Sequence, residues 1–130
     1  MEYKYADLTK GLINAAMEVH RILGNGFQEV IYQRAYEFEL NQRNQFSVSR
    51  EVEMPIHYKE YLVGTRRVDF LINDLISIEL KAVIRLEDVH LAQALNYLEA
   101  YNLEIGLLIN FGAKSLEFKR LFNKKYTPPV

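Results

Sequence analysis

The chain has 130 residues, a formal net charge of −1, 49% hydrophobic and 25% charged residues, and no cysteine. That balance excludes disordered, collagen-like and low-complexity classes, and the missing thiols exclude disulfides, thiolate zinc sites, iron–sulfur clusters and a cysteine nucleophile. The near-neutral charge also departs from the strongly basic balance of a dedicated DNA-binding module. No apolar run approaches the ~18 residues of a membrane helix. The opening residues lack the basic-then-apolar order of a signal peptide. The expectation is one domain over residues 1–130, with no membrane association, in a reducing and cytoplasmic compartment. Charge is unevenly spread: residues 111–130 carry Lys114, Lys119, Arg120, Lys124 and Lys125 against Glu117 alone, on an otherwise acidic chain. Such a tail is either a local phosphate contact or a solvated face.

The apolar spacing of Leu8, Leu12, Ile13, Ala16, Val19, Ile22 and Leu23 predicts a first helix over 7–23. Gly24-Asn25-Gly26 ends it, because these residues accept the left-handed backbone of a C-terminal cap. A second helix follows over about 28–43. From Phe46 the period changes to two. Val48, Val52, Met54 and Ile56 mark a long strand interrupted near Arg50, and Lys59-Glu60 a turn. A short strand is expected at 61–63, then a hairpin of strands 67–72 and 75–83 around Asn73-Asp74. A third helix spans 86–102, with Val89, Ala92, Leu95 and Leu98 expected inward. Residues 104–111 read as a strand buried on both faces, and 117–122 as a last strand. The order α-α-β-β-β-β-α-β-β is that of an α/β (α+β) domain, a mixed β-sheet flanked by helices.

The hairpin carries the chemistry. Asp69 interrupts an apolar strand, and Glu79 and Lys81 lie two residues apart on the next. Residues i and i+2 share a face of a strand, so Ser77, Glu79 and Lys81 point one way while Ile78, Leu80 and Ala82 point the other. Charges in a buried strand are costly unless paired or metal-bound. Register decides whether Asp69 joins them. A two-residue loop at Asn73-Asp74 sets Asp69 opposite Ile78, whereas an odd loop centred on Asp74 sets it opposite Glu79. The odd loop, or an equivalent bulge, is the expectation. Two carboxylates then suit Mg²⁺ or Mn²⁺, and a neighbouring lysine can position water and stabilise charge on phosphorus. A plain Glu79–Lys81 ion pair is the competing reading.

These residues, Asp69 and then Glu79-Leu80-Lys81 with nine residues between the two acids, resemble the Asp…(Asp/Glu)-x-Lys core of the PD-(D/E)xK nuclease superfamily. Gly26-Phe27-Gln28-Glu29-Val30-Ile31-Tyr32 resembles the signature of the GxxExxY family, a branch of it. Residues 19–24, 93–98 and 106–112 resemble that family's other segments, so the likeness runs from about Leu8 to Leu121. The resemblance implies a restriction-endonuclease-like core. It implies Asp69 and Glu79 as metal ligands for Mg²⁺ or Mn²⁺, Lys81 as the catalytic lysine and Glu29 as the acid completing the site. Gln93 would touch substrate or the nucleophilic water, in a Gln-x-x-x-Tyr motif with Tyr97. Two positions depart from the pattern: Val68 precedes Asp69 where proline is frequent, and Asn25 stands where many relatives carry proline.

Other residues divide between roles. Glu29, Gln28 and Tyr32 suit either the site or a solvated first helical turn, where a carboxylate is favoured. His90, Gln93 and Tyr97 share one helix face. His90 and Tyr32 are candidate substrate-binding residues beside Tyr97, with a structural histidine as the alternative for His90. Arg66, Arg67 and Arg85 flank the hairpin and are candidate phosphate contacts. No Gly-rich phosphate loop, Gly-x-Ser-x-Gly elbow or His-x-x-x-His pair is present. The leading reading is a metal-dependent nuclease acting on nucleic acid, DNA ahead of RNA, with a homodimer expected to help one small domain grip a duplex. The second is a catalytically silent module of the same fold that binds a protein or nucleic acid.

Overall fold

The computed structural model describes residues 5–129. Three helices and five strands occur in the order α1 (Ala6–Leu23), α2 (Glu29–Arg43), β1 (Val48–Tyr58), β2 (Tyr61–Ile72), β3 (Ile76–Lys81), α3 (Asp88–Ala100), β4 (Ile105–Asn110) and β5 (Glu117–Phe122). The strands form one sheet in the order β1-β2-β3-β4-β5. β3 and β4 are parallel, joined by the crossover through α3, and the other neighbours are antiparallel. This is the mixed, helix-flanked α+β sheet expected. The expected strands at 61–63 and 67–72 run together as β2, because Gly64 pairs with Ile56 and the ladder carries through it.

Each face of the sheet has its own core. Leu12, Ala16 and Val19 of α1 and Tyr36 and Leu40 of α2 pack against Phe70, Ile78, Leu80, Leu107 and Ile109. On the other face Tyr97 and Leu98 of α3 pack against Met54, Val68 and Leu71. β4 is buried along its whole length, as a strand covered on both faces must be. The expected inward positions Val89 and Ala92 turn outward, and Val89 is 54% exposed. α3 starts only at Asp88, since the Glu117 carboxylate takes the Leu86 N–H at 2.9 Å, and Ala94, Tyr97 and Leu98 set its phase.

The turn between β2 and β3 decides the register. Asn73 and Asp74 both have φ of 54°, and the Leu75 N–H donates to the Ile72 carbonyl at 2.9 Å. Positive φ at both central residues matches the right-handed twist of the flanking strands. Ile72 then pairs with Ile76, leaving three residues in the loop. The odd loop centred on Asp74 is the one that forms.

Candidate active site

Pairing of β2 with β3 runs through Ile72–Ile76, Leu71–Ser77 and Phe70–Ile78 and stops there, one step before Asp69 and Glu79. On its other side Asp69 also lacks a ladder partner: β1 pairs Arg50 with Phe70 and Val52 with Val68, skipping Glu51, whose φ is 54°. The distortion turns the hairpin over. Phe70 packs in the core under α1 and α2, while Val68, two residues earlier, packs in the core under α3. A regular strand would put both on one face. Asp69 therefore sits at a break in the sheet, where main-chain groups lose their ladder partners.

The acidic side chains fill that break. Glu79 Oε1 accepts the Asp69 N–H at 3.3 Å, and Asp69 Oδ2 accepts the Leu80 N–H at 2.7 Å. Buried main-chain donors are thus satisfied by carboxylates instead of carbonyls. Asp69 Oδ1 accepts from Gln33 Nε2 at 3.0 Å, and Gln33 Oε1 accepts from Arg50 Nη2 at 3.4 Å. Arg50 also pairs with Glu37 at 3.2 Å. Gln33 and Arg50 come from α2 and β1, far from the hairpin in sequence. Nothing in their local pattern marks them.

Burial and proximity set the charge states. Glu79 is 7% exposed. Its carboxyl is pushed up to about 8 by desolvation and then by the Asp69 charge, against the pull of the Asp69 N–H, Lys81 and Arg66. The Asp69 carboxyl rises to about 6, again mainly by burial, with Glu29 adding to it and the Leu80 N–H, Lys81 and Arg50 opposing. Glu29, the first residue of α2, is raised by burial and lowered by Lys81. Glu29, Asp69, Glu79 and Lys81 therefore share one electrostatic neighbourhood. Lys81 is half-buried and forms no ion pair among the described residues, so the plain Glu79–Lys81 pair is not what holds it.

Two adjacent carboxyl groups offer the oxygen donors that suit a hard divalent ion such as Mg²⁺. Among the described residues no three His, Cys, Asp or Glu side chains converge closely enough to hold a metal together. Glu29 thus stands beyond the Asp69–Glu79 pair.

The candidates on α3 divide. Tyr97 is 4% exposed, with the Arg66 guanidinium 4.5 Å from its ring centre. Its hydroxyl is pushed up to about 12 by burial and by the Glu79 charge. Gln93, one turn earlier, is half-buried and has no hydrogen-bond partner among the described residues. His90 Nδ1 accepts the Glu87 N–H at 2.9 Å, which caps the start of α3, so the structural reading accounts for this ring nitrogen. Tyr32 is corrected. It is fully buried and stacks on Phe111 at 4.8 Å, its hydroxyl donating to the Gly24 carbonyl at 2.6 Å and accepting the Phe27 N–H at 3.1 Å. An aromatic residue with its polar tip consumed inside the fold has nothing left for substrate.

A buried amide fastens the strand that carries Lys81. Asn110, opposite Lys81 in the parallel ladder, accepts the Val83 and Gly112 N–H groups at 2.9 and 3.0 Å. It donates to the Val83 carbonyl at 2.9 Å and to Glu117 at 2.8 Å. A Cβ at Gly112 would run into the Ala82–Val83 main chain. The segment leaving Lys81 is clamped from both directions.

A family model of the PD-(D/E)XK nuclease superfamily matches residues 6–121. The chain belongs to the PD-(D/E)XK nuclease superfamily. Nucleases of this superfamily generally use divalent metal ions and act on nucleic acid. The fold is similar to the crystal structure of SSO0001, with a TM-score of 0.59 and 19% sequence identity over 92% of this chain. The match covers 60% of that longer chain, and at this identity it speaks for the fold alone. Comparison with curated proteins finds no match. Among the described residues no helix is long and apolar enough to cross a membrane.

Proposed function

We propose that this member of the superfamily is a metal-dependent nuclease of the GxxExxY branch that hydrolyses phosphodiester bonds, with DNA as its first substrate and RNA as its second. The observation that carries the reading is the break at Asp69. Two carboxyl groups, Asp69 and Glu79, are held side by side at a buried break in the sheet, with Lys81 on the same strand free of any ion pair among the described residues; the arrangement costs stability and is kept for chemistry.

Asp69 and Glu79 would hold Mg²⁺ or Mn²⁺, with Glu29 as a further carboxylate at the edge of the site. When bound, such an ion supplies Lewis-acid polarisation of a phosphoryl oxygen and lowers the pKa of water. Gln33 keeps the Asp69 carboxylate oriented through the 3.0 Å hydrogen bond. Lys81 holds the attacking water and offsets negative charge growing on phosphorus. Gln93, whose amide has no hydrogen-bond partner among the described residues and lies one turn from Tyr97, orients water or substrate from α3. Burial favours a proton on the Asp69–Glu79 pair, which would have to leave for an ion to be held there, so metal uptake should strengthen as pH rises.

The intact Asp69–Glu79–Lys81 set speaks against a silent binding module. The test is cleavage of single- and double-stranded DNA and RNA in Mg²⁺, Mn²⁺ or chelator, comparing the native protein with Lys81→Ala. Metal-dependent cutting that falls by about 100-fold or more in the variant is expected, the scale of a positioned catalytic group. Cutting that survives Lys81→Ala refutes the assignment. Absence of cutting on every substrate favours the binding module.

A further inference from the structure

Beside the acidic pair lies a cleft of about 440 Å³ lined by Ile56, Arg66, Asn96, Tyr97, Glu99 and Ala100. We infer that this cleft, with Arg66 at its wall, is the subsite for one unpaired nucleotide next to the scissile phosphate; the inference rests on the nuclease reading and adds the substrate's strand state to it.

Arg66 precedes Asp69 by three residues on β2, roughly 10 Å at strand spacing. Its side chain projects from the strand that carries Asp69 and can reach a phosphate beside the bond being cut. Its guanidinium lies 4.5 Å from the centre of the Tyr97 ring. A stacked guanidinium is pre-oriented, so it loses little freedom on binding a phosphate and presents its donors as a planar fork. The guanidinium lies over the Tyr97 ring while Arg66 as a whole stays exposed to solvent. Bases stack on guanidinium planes in single-stranded complexes.

The remaining lining suits the rest of a nucleotide. Ile56 and Ala100 offer apolar walls, and Asn96 is an exposed amide that can both donate to and accept from a base edge. Glu99 would repel a phosphate, but it pairs with Lys125 at 3.7 Å. The volume is that of a small-molecule pocket, large enough for one nucleotide and too small to admit a duplex. A base still paired in a helix cannot enter, so the cleft selects a single strand, an overhang or a frayed end.

Fluorescence anisotropy tests this with a short labelled DNA strand, free or annealed in a blunt duplex. It uses the full chain in Ca²⁺ over a series of salt concentrations. The native protein is expected to bind the single strand about tenfold more tightly than the duplex. Arg66→Ala should remove that preference and lower the salt slope by about one, the signature of one lost phosphate contact. Arg66→Lys should keep the slope and lose the preference, because an ammonium holds charge without a stacking plane. It also separates a lost contact from a lost fold, as does the melting curve of each variant. Equal affinity of the native protein for single strand and duplex overturns the inference, as does unchanged single-strand binding in Arg66→Ala. The two readings fail separately. Metal-dependent cutting without a strand preference leaves the nuclease and removes the subsite. Arg66-dependent single-strand binding without cutting removes the catalysis and leaves the subsite.

Discussion

Replacing Glu79 by glutamine should stabilise the metal-free protein at high pH and not at low pH. Glu79 is 7% exposed and its carboxyl is pushed from an ordinary 4.5 to about 8, first by burial and second by Asp69. Between these values the folded chain keeps a proton that the unfolded chain has released. Stability therefore falls as pH rises through the window. The favourable contribution is complete below the unfolded value and lost above about 8. At about 1.4 kcal/mol per pKa unit, the gap amounts to a ceiling of about 5 kcal/mol. Glutamine keeps the acceptor for the Asp69 N–H but brings an amide that needs a partner, which costs about 1–2 kcal/mol. The net expectation is a variant more stable by about 3 kcal/mol near pH ~9 and no more stable than the native protein near pH ~5. Urea denaturation of both proteins in chelator at the two pH values reads this directly. Saturating Mn²⁺ should shrink the high-pH difference, because an ion that binds only the folded state stabilises the native carboxylate pair. A difference that is the same at both pH values refutes the reasoning, as does a variant that is weaker near pH ~9.

Three further outcomes follow from other contacts. Gln33→Ala removes the only side chain that bonds Asp69 Oδ1 among the described residues. It should weaken Mn²⁺ binding by about 10–100-fold in calorimetry, the usual scale for groups that orient a ligand, while thermal stability changes little. Asn110→Ala leaves the Val83 and Gly112 N–H groups unpartnered inside the protein. A loss of about 2–4 kcal/mol in urea unfolding is expected, since each stranded buried group costs about 1–3 kcal/mol; a loss under about 1 kcal/mol would mean the clamp is not what holds the strand end. Tyr32→Phe strips only the hydroxyl from the Gly24 and Phe27 contacts. It should cost about 1–2 kcal/mol of stability and leave oligonucleotide affinity unchanged; an affinity loss would return Tyr32 to the substrate surface.

Much of this protein is local in origin and was legible in the residue order. Apolar spacing of three and four marks the helices, and Gly24, with φ of 73°, ends α1 where the Gly-Asn-Gly run lies. Alternation on β3 places Glu79 and Lys81 on one face, a property of any pleated strand. The register of the hairpin was readable as a choice between two loops. Asn73 and Asp74, residues tolerant of positive φ, allow the one that forms.

The tertiary structure decided what depends on meetings across the chain. Period two fails at Asp69, where Glu51 takes positive φ and the two cores claim Val68 and Phe70 on opposite faces. No pattern within β2 announces that break, because it arises from packing against helices before and after it. The same holds for Gln33 on Asp69, 36 residues apart, and for Arg66 on Tyr97. Tyr32 and Val89 show the converse. Each has a side chain whose chemistry suits either side of the fold. Tyr32 was drawn inward by Phe111 and the 24–27 loop, and Val89 was left outside by the phase of α3. Residue order determined which groups could do phosphodiester chemistry and on which strands they stand. Folding determined which stand together, because burial and contact belong to the packed chain and not to its segments.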